Sequence, residues 1–225
     1  MLQFQASTPA RASGADGDDG GGGGGGGEDD GERHLTLLAH DPNSQWTIAV
    51  QAVDDEHVLA AEVGGNLFVT QARLGEASEE ERSRLHEVAH YHLGENVRCL
   101  KRGSLVMELP PSERLDLQPV LWTANSGAIG VLAALPPPLF TIMWQLQEAL
   151  NKVVHGVGGL SHAHHRAFHT EGLHVPQSGF VDGDLVELFL ELSREQQEAV
   201  IQAVGTDLTV EQAIHHVDLL KRSLH

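Results

Sequence analysis

Three consecutive prolines, Pro136-Pro137-Pro138, divide this 225-residue chain into two parts with different hydrophobic periods. Proline has no backbone N–H to donate, so a central strand does not tolerate such a run. Before the prolines, short apolar runs alternate with turn residues, which is typical of antiparallel strands. After them, apolar residues recur at helical spacing. The sequence therefore predicts a β region over residues 35–135 and a small all-α domain over residues 136–225.

The β region contains two sets of short strands. The predicted strands are residues 35–39, 48–53, 58–63 and 67–71 in the first set, and 90–93, 97–100, 105–109, 120–124 and 129–132 in the second. Sets of about four short strands that repeat every ~40 to 50 residues favour propeller blades. Two blades cannot close a ring, so we expect an incomplete β-propeller with open edges.

Residues 1–34 have low complexity, with an unbroken glycine run from Gly20 to Gly27 between acidic residues. Such a segment cannot bury enough apolar surface to offset its conformational entropy. We therefore expect a disordered N-terminus.

The charge and cysteine content exclude several classes of protein. The chain carries 14 Lys+Arg against 32 Asp+Glu, a formal net charge of -18, which opposes the phosphate backbone of nucleic acids. Cys99 is the only cysteine, so no internal disulfide is possible. No apolar run is long enough to span a bilayer. We expect a nuclear or cytosolic protein that contacts neither nucleic acid nor membrane directly.

One short motif points to an enzyme. His86-Glu87-Val88-Ala89-His90 matches H-E-x-x-H, in which two histidines on one helix face bind zinc and the glutamate acts as general base. An alternating β pattern begins at Val88, however, and on a strand His86 and His90 would not converge with Glu87. A zinc hydrolase is therefore only an alternative, and we predict no catalytic, cofactor-binding or metal-binding residues.

A second histidine cluster follows Ser161, which is placed to cap a short helix through Phe168. His162, His165 and His169 would lie near one face of that helix. Two or three histidines can hold a transition metal, but no cysteine or carboxylate completes an obvious ligand set. We interpret them as surface residues.

Helix caps are predicted at Asp184, Ser193 and Thr209. Asp184 opens a helix with a wide apolar face, and its carboxylate can accept from the free N–H groups there. The other two residues are each followed three positions later by glutamine, which fits a capping box.

The sequence around Asp184 resembles that of a known family. The F-H-T-E block at residues 168–171 and the G-F-V-D-G-D-L-V-E block at residues 179–187 resemble the C-terminal region of the large subunit of UV-damaged DNA-binding protein, the DNA damage-binding protein 1 family. Further blocks keep the family's order, and the resemblance runs from about Arg33 to His225. The superfamily also contains the cleavage and polyadenylation specificity factor A subunit and a splicing-factor subunit. The F-H-T-E block favours the damage-binding branch.

This resemblance implies a non-catalytic scaffold. Members are three-propeller adaptors that tether WD-repeat substrate receptors to a cullin-four RING E3 ubiquitin ligase, in DNA damage repair and protein ubiquitination, in the nucleus and also the cytoplasm. The chain would correspond to the last blades of the third propeller and the terminal helical domain. The cullin would be reached only through missing upstream propellers, so we expect either that Met1 is not the true start or that the chain is a truncated copy. An RNA-processing scaffold is the alternative.

The resemblance also implies partner-binding residues. By position, Arg33, Trp46 and Arg98 match the receptor-binding face of the family. Tryptophan and arginine often anchor interfaces, although a tryptophan in a blade can equally belong to the core. In this family, lesion contact belongs mainly to the partner subunit, which agrees with the negative charge of this chain.

Overall fold

The computed structural model describes residues 2–5, 36–43, 45–105, 115–154, 156–170, 172 and 174–224. The strands are β1 (Leu2–Gln5), β2 (Thr47–Ala52), β3 (His57–Glu62), β4 (Asn66–Ala72), β5 (Leu85–His92), β6 (Val97–Arg102), β7 (Val120–Ala124), β8 (Ile129–Leu135), β9 (Phe168–His169), β10 (His174–Val175) and β11 (Phe180–Asp182). The α-helices are α1 (Glu79–Arg82), α2 (Pro137–Val153), α3 (His162–His165), α4 (Gly183–Glu187), α5 (Arg194–Val204) and α6 (Val210–Leu224). The fold is therefore mixed β and α.

The two predicted sets of strands correspond to two sheets, except that the strand predicted at 90–93 in the second set is part of β5 and pairs with β4 in the first sheet. The first sheet is an antiparallel meander in the order β2-β3-β4-β5, and the second has the order β11-β1-β8-β7-β6. In the described part of the chain, neither sheet closes on itself. The side chain of Arg102 at the end of β6 donates to the carbonyl oxygens of Ala52 (3.1 Å) and Val53 (2.6 Å) at the end of β2. The two sheets therefore meet where β2 and β6 lie side by side.

The first predicted strand is wrong. Residues 36–39 have no regular structure, and the next residue, His40, forms only an isolated bridge with Arg84. Leu37 and Leu38 are 80% and 65% exposed, so the apolar run that predicted a strand has no sheet to pack on. Most of the predicted strand at 105–109 lies outside the described residues, and Leu105 itself lies in a bend.

The expectation of disorder over residues 1–34 does not hold for Leu2–Gln5. This segment, β1, pairs in parallel with β8 and antiparallel with β11, so it fills the space between two strands that do not pair with each other. An open strand edge leaves backbone N–H and C=O groups unpaired, and β1 satisfies those of β8. The rest of the predicted disordered segment lies outside the described residues.

The expectation of an all-α region after Pro136 is wrong over residues 168–182. Helix α3 ends at His165 instead of continuing to Phe168, and Phe168 begins a short hairpin of β9 and β10. Strand β11 then joins the second sheet, with Phe180 and Val181 fully buried. Their side chains fill the core beside the sheet, so burial outweighs the helical context.

The structure has two hydrophobic clusters. One lies between the sheets and includes Leu59, Tyr91, Trp122 and Phe180. The other packs the helices on the second sheet; its fully buried members include Met143, Leu146, Leu150, Val186, Phe189, Val200 and Leu220. Helix α2 begins immediately after Pro136, because proline is tolerated in the first turn of a helix. Strand β11 contributes to both clusters and so links the helical part to the sheets.

The helix caps differ from the prediction at one of three positions. Ser193 accepts from the N–H of Gln196, whose side chain in turn accepts from the N–H of Ser193, and Thr209 forms the same reciprocal pair with Gln212. Asp184 does not cap α4. The cap is Asp182, whose Oδ1 accepts from the N–H of Asp184 at 3.1 Å, because β11 runs directly into the helix.

Asp182 is 2% exposed and is also the centre of a buried polar network. Its Oδ2 accepts from the Tyr91 hydroxyl (2.8 Å) and Arg166 Nε (3.0 Å) and lies 2.8 Å from His162 Nε2. The N–H of Asp182 donates to Gln147 Oε1 at 2.7 Å. Burial raises the pKa of this carboxyl, but the hydrogen bond from His162 and the charge of Arg166 outweigh it and hold the pKa well below its usual range. The network connects β5, α2, α3 and β11.

Replacing this carboxylate should destabilise the fold strongly. We expect Asp182→Asn to lower the free energy of unfolding by about 3 to 5 kcal/mol, because it removes the anionic partner of Arg166, whose side chain is only 18% exposed. The exposed neighbour provides a control, and Asp184→Asn should cost under about 1 kcal/mol. Urea denaturation of both variants measures the difference. Equal losses would show that Asp182 has no special role.

Candidate protein-binding surface

The residues predicted to bind partners lie where the two sheets meet. Trp46, immediately before β2, is 79% exposed, and Val50 within β2 is 61% exposed. Arg98 and Cys99 near the start of β6 are exposed as well. β2 and β6 lie side by side, and Arg102 joins their last residues, so Trp46 and Arg98 lie towards the opposite end of the two strands. We name Trp46, Val50, Arg98 and Cys99 the β2–β6 surface.

The backbone beneath Trp46 is fixed although its side chain is exposed. The Trp46 carbonyl accepts from the N–H of Val63 at 3.1 Å, which ties it to the turn between β3 and β4. Trp46 is therefore attached to the edge of the sheet through its backbone, and its exposed side chain is not part of the core. Tryptophan and arginine are residue types that often dominate interface energetics.

Two of the three residues predicted for this surface, Trp46 and Arg98, are exposed in the structure. Arg33 lies outside the described residues. Val50 and Cys99 were missed, because an apolar residue in an alternating strand pattern normally predicts burial. Only the positions of the side chains in the folded chain show that Val50 and Cys99 face away from the core.

The H-E-x-x-H motif lies on strand β5. The register of β5 against β4 shifts between Glu87 and Ala89, so a bulge turns Glu87 and His90 to the same side. His90 Nδ1 lies 2.8 Å from Glu87 Oε1, and this hydrogen bond raises the pKa of His90. His86 contacts Glu81 instead (3.2 Å). The two histidines therefore do not converge, and the geometry does not favour the zinc-hydrolase alternative.

The second histidine cluster does not lie on one helix face, because His169 belongs to β9. The ring of His169 packs against that of His92 on β5, with centroids 3.9 Å apart, and His165 packs edge-on at 6.2 Å. His92 Nδ1 is 2.8 Å from Asn66 Oδ1. Burial, and then the neighbouring His169 and His165, lower the pKa of His92 to about 4. Within the described residues, no group of three or more histidine, cysteine or acidic side chains could hold a metal.

The helices of the described chain are too short or too polar to cross a membrane.

Comparison with known proteins identifies the family. A family model described as "CPSF A subunit region" matches residues 28–191. The chain belongs to this family.

Within the family, the chain is similar to proteins named DNA damage-binding protein 1. It is 42% identical to the tomato protein (Solanum lycopersicum) over 184 residues, which are 82% of this chain and 17% of the relative. It is 41% identical to the rice protein (Oryza sativa subsp. japonica) over 191 residues, 85% of this chain and 17% of the relative. The Drosophila melanogaster protein is 36% identical over 174 residues, which are 77% of this chain and 15% of the relative. The chain thus spans about a sixth of these relatives, which are named as binding proteins. The predicted resemblance is confirmed.

The histidine cluster should make stability depend on pH. The unfolded chain takes up a proton at His92 near its ordinary pKa of 6.5, whereas the folded chain does so only near 4. Its contribution to stability is therefore fully present above pH 6.5 and is lost as the pH falls towards 4. We expect a slope of up to ~1.4 kcal/mol per pH unit in this window.

Urea denaturation at a series of pH values measures this slope. The variant His92→Gln should have a shallower slope than the unmodified chain. The exposed His215→Gln variant is the control and should keep the original slope. An unchanged slope in His92→Gln would contradict the assignment to His92.

Proposed function

We propose that this chain is a non-catalytic part of an interaction scaffold in a cullin-four RING E3 ubiquitin ligase, which acts in DNA damage repair and protein ubiquitination. In this proposal the two sheets are the last blades of a β-propeller and the helices form its terminal domain. The β2–β6 surface binds a WD-repeat substrate receptor, and the cullin is bound by propellers outside this chain. The complex acts in the nucleus and also in the cytoplasm.

The single observation that carries the proposal is the exposure of Trp46 and Arg98 at one end of the β2–β6 surface. These are the positions at which the family resemblance implies receptor contact, and both side chains are available for it. An indole that is 79% exposed would gain stabilisation if a partner buried it, because aromatic side chains carry large apolar surfaces. The names of the relatives support a binding role.

The charge of the chain supports binding to protein over binding to DNA. With a formal net charge of -18, this chain lacks the excess of Lys and Arg that neutralises phosphates. DNA damage recognition, in this proposal, belongs to other parts of the complex. An RNA-processing scaffold is the second candidate, because the matching family model is described as the CPSF A subunit region.

The test is affinity purification of the tagged chain from cells, followed by mass spectrometry. We expect WD-repeat proteins to co-purify, and recovery to fall by at least ~10-fold in Trp46→Ala and Arg98→Ala, since each removes an interface anchor. Ile129→Ala is a matched control, because Ile129 is 62% exposed but lies on β8, separated from β6 by β7.

Three outcomes separate the candidates. Recovery of WD-repeat receptors that depends on Trp46 and Arg98 supports the proposal. Recovery of polyadenylation or splicing factors instead would favour the RNA-processing scaffold. Recovery of receptors that is equal in all variants would show that the β2–β6 surface is not the binding site.

A further inference from the structure

The outer edge of β5 is covered by a short segment of the chain between α3 and β11. Strand β5 is the last strand of the first sheet in the described chain, so this edge has no partner within that sheet. The N–H of His92 donates to the Arg166 carbonyl at 3.0 Å, and His90 and Ser178 exchange two backbone hydrogen bonds of 2.8 and 3.0 Å. We name residues 168–170, 172 and 174–178, which include β9 and β10, the β5 flap.

Both ends of the β5 flap adjoin residues that are fixed. Before it, the side chain of Arg166 donates to the buried carboxylate of Asp182 at 3.0 Å. After it, Gly179 lies so close to β5 that an added Cβ atom would come within 2.5 Å of the Ala89 Cβ. Its φ of +71° also favours glycine. Movement of the flap is therefore confined to the residues between Arg166 and Gly179.

His90 makes its full set of contacts with the flap only in its charged form. Its Nδ1 lies 2.8 Å from Glu87 Oε1, and its Nε2 lies 2.8 Å from the carbonyl oxygen of Pro176 in the flap. An ionised carboxylate and a carbonyl can only accept, so both ring nitrogens must carry a proton. Glu87 is the charged group that faces this ring, and its hydrogen bond raises the pKa of His90, whereas the edge-on ring of Phe168 at 5.5 Å is uncharged. A neutral His90 has one N–H and loses one of the two bonds.

His92 contacts the same flap and favours the opposite charge state. The Asn66 amide donates to the His169 carbonyl at 2.8 Å, so its oxygen faces His92 Nδ1 at 2.8 Å and accepts the one proton of a neutral ring. The rings of His92 and His169 lie 3.9 Å apart between centroids. A second proton on His92 would place a positive charge in a partly buried site beside His169, His165 and Arg166. The closed flap therefore favours a neutral His92.

We propose that the β5 flap is a pH-sensitive element that is closed when His90 is charged and His92 is neutral and that opens when either ring changes its charge. Opening separates Pro176 from His90 and His169 from His92, so both rings regain water. The two histidines thereby link the position of the flap to the pH. This inference is independent of the proposed ligase function, because it rests on contacts within this chain and not on the β2–β6 surface.

The two histidines act on opposite sides of pH 6.5, the ordinary pKa of the ring. The contribution of His90 to closure is fully present below pH 6.5 and is lost as the pH rises through its raised pKa. The contribution of His92 is fully present above pH 6.5 and is lost as the pH falls towards about 4. The flap is therefore held most firmly near pH 6.5.

Opening of the flap would also widen a cavity of about 400 Å³. The flap supplies Phe168, Thr170 and Val175 to the wall of this cavity, and β5 supplies Glu87 and His90. Access to the cavity therefore depends on the charge of His90.

Hydrogen exchange of the full chain, followed by NMR from about pH 5 to about pH 9, tests the proposal. The readout is the protection factor of the Ser178 amide, which corrects for the effect of pH on the intrinsic exchange rate. We expect a maximum near pH 6.5 and a fall of about three- to tenfold on each side, since each change of charge removes an interaction of that order. The amide of Leu59 on the central strand β3 reports global unfolding and should stay better protected than Ser178 throughout.

Variants separate the two histidines. His90→Gln keeps a donor for Pro176 but cannot become charged, so the fall above pH 6.5 should disappear. His92→Gln keeps a donor for Asn66 and should flatten the fall below pH 6.5. His215→Gln, at an exposed position on α6, is the matched control and should keep both. Amide spectra of each variant check that it is folded.

Nitrogen-15 label in histidine gives a second, direct measurement. Most of His90 should carry a proton on both ring nitrogens at pH 6.5, and Glu87→Gln should lower its pKa, because the acceptor of the Nδ1 proton loses its charge.

Three results would overturn the proposal. The first is equal protection of Ser178 and Leu59 at every pH, which would mean that the flap opens only when the whole chain unfolds. The second is a fall above pH 6.5 that is the same in His90→Gln as in the unmodified chain. The third is a His90 ring that is neutral at pH 6.5.

Discussion

The buried carboxylate of Asp182 is the interaction on which the arrangement of sheets and helices depends. Its three side-chain partners come from β5 and from α3 with its C-cap, while its own N–H is held by α2. A buried ion pair adds little net stability compared with apolar packing, but losing one partner costs several kcal/mol. The network therefore joins α3 and its C-cap to β5 and β11 through His162, Arg166 and Tyr91.

The β2–β6 surface has a different origin. β2 and β6 each end their sheet and lie side by side, and the side chains of this surface are exposed in the described chain. Trp46 and Arg98 thus become accessible through topology and not through any local signal.

Local rules predicted most of the elements. Alternation predicted six of the strands near their observed bounds, because side chains that alternate in polarity along a strand face opposite sides of its sheet. The glutamines three residues after Ser193 and Thr209 marked two helix starts, since a capping box is satisfied within one turn. The predictions failed where distant partners decide the outcome. Residues 36–39 have a strand-like sequence but no neighbouring strand to pair with. β1 lies in a low-complexity segment but pairs with two strands. A bulge in β5 opposite β4 changed the direction of the Glu87 side chain.

The sequence by itself determined three things: the change from alternating to helical spacing of apolar residues at Pro136, the family, and the negative charge that opposes nucleic-acid binding. All three depend only on residue type and order. Tertiary structure alone decided that Asp182 and not Asp184 is the buried cap, that β11 returns to the sheet, and that Trp46 is exposed. Each of these depends on residues far apart in the chain: Tyr91 approaches Asp182, and Arg102 approaches Ala52. Such contacts have no signature in a local pattern, because they exist only once the sheets have formed.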